Sequence, residues 1–162
     1  MKKFICLLFA VGLTVSACLA QNLPNVKIEN EKGETITTSS LVAGTPMIVS
    51  FWSTTCKPCI MELNAINEHL DEWSQVAKFN VVAVAIDDSR SVSKARAMAN
   101  GFGWDDFVLL FDKNQDFKRA MNVSTTPQSY IIDGEGRVVY SHSGYTPGSE
   151  YELFQKIKEL QK

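Results

Sequence analysis

Met47-Ile48-Val49-Ser50-Phe51-Trp52-Ser53-Thr54-Thr55-Cys56-Lys57-Pro58-Cys59-Ile60-Met61-Glu62-Leu63 is the stretch on which the fold turns. Its first six residues are a nearly continuous apolar run, as expected of a strand covered on both faces by helices. Ile60, Leu63, Ile66, Leu70 and Trp73 then recur three or four apart, the spacing of one apolar helical face, with Glu62, Asn64, Glu68 and Asp71 largely elsewhere. A Cys-x-x-Cys therefore stands where a strand ends and a helix begins.

That position has chemical consequences. Two residues three apart on a first helical turn can bring their Cα atoms within the ~5.5 Å that a disulfide prefers. The free N–H groups and the dipole of the helix start favour an anion, and the first sulfur gains most from them. Cys56 is accordingly the expected nucleophile and Cys59 the resolving thiol that expels the product. Pro58 fits a helix start, where its missing N–H costs nothing. Lys57 has two readings of equal weight, a charge that helps ionise Cys56 or a solvated surface lysine.

Outward from the motif, residues 79–86 form a second apolar run, which completes a βαβ unit with a right-handed crossover. Upstream, residues 26–28 and 35–37 flank Glu31-Lys32-Gly33-Glu34 and predict a small hairpin before the main fold. Downstream come a helix over 91–100 ended by Gly101, a short strand at 108–111 and a helical turn or two at 116–121. Residues 128–132 and 137–141 flank Asp133-Gly134-Glu135-Gly136, a strong hairpin signal. Residues 149–161 read as a closing amphipathic helix with Tyr151, Phe154, Ile157 and Leu160 on its inner face. The order βαβ, helical link, ββα is that of the thioredoxin fold, an α/β fold whose central mixed sheet is flanked by helices. Here it carries an N-terminal β-hairpin.

The bulk properties agree with one domain. The chain has 162 residues, of which 45% are hydrophobic and 21% charged, so a single core can bury most of its apolar surface. Residues 1–20 are read apart from it: Lys2 and Lys3 form a positive start, residues 4–15 a short apolar run and residues 16–20 a small-residue cleavage region. The expected organisation is a signal peptide over 1–20 and a thioredoxin-like domain over 21–162, which makes the protein exported and periplasmic. An alternative cut at the Val15-Ser16-Ala17-Cys18 sequence would give a lipoprotein anchored through Cys18, the one route by which a membrane enters. Either cut removes Cys6 and removes or caps Cys18, so Cys56 and Cys59 are the only thiols expected to remain. Loss of Lys2 and Lys3 leaves 14 basic against 18 acidic residues, a formal charge of −4. No nucleic-acid footprint follows from such a balance.

The segment from Phe51 to Cys59, followed by Glu62-Leu63, by Thr126-Pro127 ahead of a strand and by Asp133-Gly134-Glu135-Gly136, resembles the TlpA/ResA-like thioredoxin family over nearly the whole mature chain. The resemblance implies an exported protein-disulfide oxidoreductase without a cofactor, acting on protein thiols and disulfides. It is expected to serve as a reductant, kept reduced by a membrane thiol reductase. It further implies that Pro127 is a cis proline facing the two cysteines and that Glu62 handles the proton of Cys59. Without the resemblance, Pro127 reads as an ordinary trans loop proline and Glu62 as a first-turn acid that balances the helix dipole. Two departures stand out. Thr55 replaces the tryptophan usual before the first cysteine, and Ser50 occupies the buried position that is aspartate in cytosolic thioredoxins, which shifts proton transfer toward Glu62.

Rival readings start from the same cysteines. Cys-x-x-Cys is half of a structural zinc motif, yet no second pair exists, and His69 and His142 are isolated in sequence. A copper carrier on this fold would need His142 as third ligand. A thiol peroxidase places its nucleophile in a Pro-x-x-x-Thr-x-x-Cys loop, whereas Ser53 stands three residues before Cys56 and the proline is missing. Asp112-x-Asn114-x-Asp116 hints at a calcium loop, but Phe117 and Val123 replace the required glycine and glutamate, so it reads as turn and helix-cap chemistry.

Overall fold

The computed structural model describes residues 21–161, so the export-signal reading of residues 1–20 lies outside the described residues. Two strands at the heart of the chain, β3 (Met47–Trp52) and β4 (Asn80–Ala85), pair in parallel across the helix α1 (Lys57–Val76), as the apolar runs require. Every residue of β3 is buried, because helices or loops cover both of its faces. The other strands are β1 (Lys27–Asn30), β2 (Thr35–Thr37), β5 (Val108–Phe111), β6 (Gln128–Ile132) and β7 (Val138–Ser143). Together they make one seven-stranded mixed sheet in the order β2-β1-β5-β4-β3-β6-β7. The thioredoxin fold read from the sequence is thus the fold of the chain.

The N-terminal hairpin is not a separate preface. β1 pairs antiparallel with β5 through Glu29–Phe111 and Asn30–Leu110, which extends the main sheet by two strands. Glu29 holds this edge by accepting from Arg96 and Lys113. Strand β7 runs two residues beyond the expected Ser141, because Gln128 Nε2 donates to His142 O and keeps the end paired.

Remaining helices are α2 (Val92–Gly101), α3 (Asp116–Ala120) and α4 (Glu150–Glu159). Asp112 caps α3, its carboxylate accepting from the Phe117 and Lys118 N–H groups at 3.2 and 2.8 Å, which is the cap role expected of that segment. The inner face of α4 corrects the sequence expectation. Leu153, Phe154 and Ile157 are buried, while Tyr151 and Leu160 are 46% and 37% exposed. The helix is rotated so that Glu150, not Tyr151, turns inward; Tyr151 stays at the rim, where its hydroxyl meets His69 Nε2 at 2.9 Å.

The sheet separates two cores. Ile48, Trp52, Leu63, Ile66 and Trp104 belong to the α1 side, and Met47, Val49, Phe51, Phe117 and Ile132 to the α3 side. Alternation along β3 sets this division: odd positions face α3 and even positions face α1. Ser50 is even, so it points at α1.

Candidate active site

Cys56 is the N-cap of α1, with extended backbone, and its Sγ accepts the Cys59 N–H at 3.3 Å. The two cysteines are joined by a disulfide with Cα atoms 5.3 Å apart. Cys59 is fully buried, whereas Cys56 is only half-buried, so a partner can reach the first sulfur and not the second. Lys57 is exposed. The loop ahead of the motif is clamped from the end of β4: Asp87 accepts from Thr54 N–H at 3.0 Å and from Thr54 Oγ1 at 2.7 Å.

The α1 start carries no acidic residue in its first turn, so nothing there offsets the helix dipole at Cys56. That fact also corrects the plainer reading of Glu62. It lies beyond the first turn, on the buried side of α1 with Cys59 and Leu63, and is 1% exposed. Residues three apart on a helix are surface neighbours, which sets Glu62 beside Cys59. Ser50 Oγ and Ser129 Oγ both donate to Glu62 Oε2, at 2.7 and 2.8 Å. These serines oppose each other in the β3–β6 ladder, which aims both hydroxyls at one oxygen. Burial pushes the Glu62 carboxyl up from its ordinary value, while the two serine bonds and the nearby His142 pull it partly back.

Register places the proline as well. Phe51 pairs with Gln128, so Pro127 falls opposite Trp52, at the sheet end where β3 gives way to the cysteine loop. The Thr126–Pro127 peptide bond is cis, and Pro127 O accepts the Gly144 N–H at 2.9 Å. The four residues singled out from the sequence, Cys56, Cys59, Glu62 and Pro127, are therefore gathered at one end of the sheet. Trp52 is buried against Trp104, with ring centroids 5.0 Å apart.

Sequence reasoning missed Ser129, Tyr145 and Glu150. Ser129 had a signal: like Ser50, it is a small hydroxyl inside an otherwise apolar strand, at the parity that faces α1. Glu150 is 5% exposed and had none, since an acid at a helix start ordinarily points to water. Tyr145, next to it, is pushed up to about 12 by burial and by the Glu150 carboxylate. His142 lies on the same side, with Nδ1 3.7 Å from Glu152 Oε2. Among the described residues no cluster of three or more metal-ligating side chains occurs. A cavity of about 550 Å³ lies at the opposite end of the sheet between Pro46, Lys78, Asp133 and Arg137, away from the disulfide.

Residues 19–141 match the AhpC/TSA family. The chain is 29% identical over 131 residues to the thiol:disulfide interchange protein DsbE of Yersinia pestis, a match covering 80% of this chain and 66% of that protein. It is 26% identical over 138 residues to the thiol-disulfide oxidoreductase ResA of Bacillus anthracis, covering 85% and 77%. Among solved structures, a thioredoxin-like protein from Porphyromonas gingivalis superposes with a TM-score of 0.76 at 47% identity, covering 85% of this chain and 90% of that one.

Proposed function

The chain belongs to the AhpC/TSA family and is a thioredoxin-like protein-disulfide oxidoreductase, and from that premise we propose that it reduces protein disulfides in the cell envelope. Cys56 is the nucleophile, Cys59 the resolving thiol, Glu62 the proton acceptor beside Cys59, and Pro127 the residue that faces them. The observation that supports this best is the pairing of a fully buried Cys59 with a buried carboxylate one turn along the same helix face. A dry thiol cannot lose its proton to water, and Glu62 is the base within reach.

The reaction runs in two displacements. The Cys56 thiolate attacks one sulfur of the substrate disulfide; a Cys56–substrate bond forms, and the other substrate sulfur leaves as a thiolate that water protonates. Cys59 then gives its proton to Glu62, and its thiolate attacks Cys56 Sγ. The second substrate sulfur leaves, the Cys56–Cys59 disulfide closes, and two electrons have passed to the substrate. A membrane thiol reductase is the electron donor that restores the dithiol. The reducing direction is the one implied by the resemblance to the TlpA/ResA-like thioredoxin family.

The envelope location rests on the export signal read in residues 1–20, with a soluble periplasmic protein as the favoured form and a Cys18-anchored lipoprotein as the alternative. Among the described residues no helix is long and apolar enough to cross a membrane. Trapping tests the sulfur assignments: Cys59→Ser should accumulate mixed disulfides with partner proteins, and Cys56→Ser should accumulate few. The reverse order would overturn the nucleophile assignment, and a reduction potential in the range of disulfide oxidants would overturn the direction.

A further inference from the structure

A buried base must be able to discharge its proton. Glu62 and Cys59 are 1% and 0% exposed, so the proton that Glu62 takes from Cys59 has no direct contact with water. Its hydrogen-bond partners do not help, because Ser50 and Ser129 are themselves 0% exposed and both donate to the same oxygen. The exit must therefore pass through a group that faces Glu62 from a neighbouring element.

Three elements besides β3 and β6 supply titratable groups there. The loop after β7 brings Tyr145, whose hydroxyl is pushed up to about 12 and so keeps its proton throughout the neutral range. The start of α4 brings Glu150, 5% exposed, with one oxygen already accepting the Gly148 N–H at 2.9 Å. Its negative charge also raises the proton affinity of Glu62. Strand β7 brings His142, directly across the ladder from Ser129. Its side chain is 26% exposed, and Nδ1 lies 3.7 Å from Glu152 Oε2, itself half exposed on α4. Imidazole is the side chain suited to taking up and releasing a proton near neutral pH. Outside His142, Glu152 and Lys156 are the charged groups of α4 on this side, Lys156 standing over the Tyr140 ring.

We propose that His142 is the proton exit of Glu62, a relay residue that links the buried carboxylate under the disulfide to Glu152 and solvent. The proposal rests on the role of Glu62 given above. As Cys59 passes its proton to Glu62, the carboxyl passes one on to His142 through a single bridging water, so that closure of the disulfide waits on the exit. Glu62 is then ionised again, and the imidazolium, held beside Glu152, returns the proton to water. No electrons move in this step. When the disulfide is reduced the path runs inward and delivers a proton to Cys59.

Glutathione disulfide serves as the probe: the reduced protein is mixed with it, and the Cys56–glutathione adduct is followed by acid quenching and mass. Resolution of the adduct by Cys59 should slow at least about tenfold in His142→Ala at low buffer concentration. Free imidazole added to the buffer should restore the rate, which a merely structural role would not allow. His142→Gln, which retains bulk, should be equally slow and equally rescued. Glu62→Gln should be slow and not rescued. Wild-type resolution by both His142 variants between about pH 6 and 9, or a loss that imidazole leaves untouched, overturns the relay while Glu62→Gln remains slow. If Glu62→Gln also resolves at the wild-type rate, the Glu62 assignment falls and the relay falls with it.

Discussion

The two faces of the central sheet are built from the same strands and do different work. On the α3 side Phe51, Phe117 and Tyr130 interlock, with Phe51 ring centroids 5.1 and 6.1 Å from the other two. The buried Tyr130 hydroxyl there donates to the Met121 carbonyl at 2.8 Å and is satisfied locally. On the α1 side Ile48, Trp52, Leu63, Ile66 and Trp104 form a second apolar core, but Ser50, Ser129 and Glu62 interrupt it beneath the disulfide. Burying a carboxylate is costly unless it is paired or neutralised, so a fold seeking only stability would not place one there. One face holds the sheet together, and the other gives up part of that stability to bury the carboxylate that we propose as proton acceptor.

Phe51→Ala should break the first face with the largest effect expected for any single residue here. The side chain is 0% exposed, and deletion of a buried phenylalanine costs about 3–5 kcal/mol. Denaturant unfolding measures that loss, and the fraction that remains folded should resolve mixed disulfides at the wild-type rate. A slowed rate would show that the faces are not separable.

Glu62→Gln tests the second face in the opposite sense. Resolution should fall about a hundredfold near neutral pH, the ordinary contribution of a positioned proton acceptor. Stability should move the other way. The folded carboxyl is raised above its ordinary 4.5, so its protonated form fits the fold better. The stabilisation it gives is complete below that value and is lost as pH rises through the folded value. Glutamine mimics the protonated form and does not titrate. The variant should therefore match the wild type in acid and gain on it progressively as pH rises, as read from unfolding curves at several pH values. A variant equally or less stable at alkaline pH would contradict the assigned direction.

Much of this was legible in the sequence because the local signals agreed. Nearly continuous apolar runs gave β3 and β4, and the spacing of Ile60, Leu63, Ile66 and Trp73 gave α1. Asp133-Gly134-Glu135-Gly136 gave the β6–β7 turn, where Gly134 is required by close approach: a Cβ would lie 2.6 Å from Gly44 O. What could not be read were features decided by partners distant in sequence. Helical periodicity places Glu62 at the margin of the apolar stripe, and only the pairing of Ser50 with Ser129, 79 residues later, shows that its surroundings are built to receive a carboxylate. For α4 the apolar positions Tyr151, Phe154, Ile157 and Leu160 fit one stripe, and Leu153 fits another nearby. Contact with Trp73, which stacks on Phe154 at 4.5 Å, settles the rotation of the helix. The joining of the hairpin to β5 is of the same kind, since nothing local in residues 27–30 names residues 110–111 as partners.

The smallest expected effect gives the sharpest comparison, because it uses neighbours in one strand. Ser129 and Tyr130 are adjacent in β6, face opposite sides of the sheet, and each donates one hydrogen bond to a buried acceptor. Ser129→Ala and Tyr130→Phe each remove a hydroxyl with little change in shape, so each should cost about 1 kcal/mol of stability. Unfolding experiments alone would not tell them apart. Their chemistry should. The Ser129 bond favours the ionised form of Glu62, so losing it raises the carboxyl further and moves the alkaline-side rise of the resolution rate to higher pH. Tyr130 donates to a backbone carbonyl on the far face, and removing that bond leaves the environment of Glu62 unchanged. Equal costs in stability with a displaced pH–rate profile for Ser129→Ala alone would place the proton chemistry on one face of the sheet. Displaced profiles for both variants would mean that the sheet transmits the change, and the division of labour between its faces would have to be abandoned.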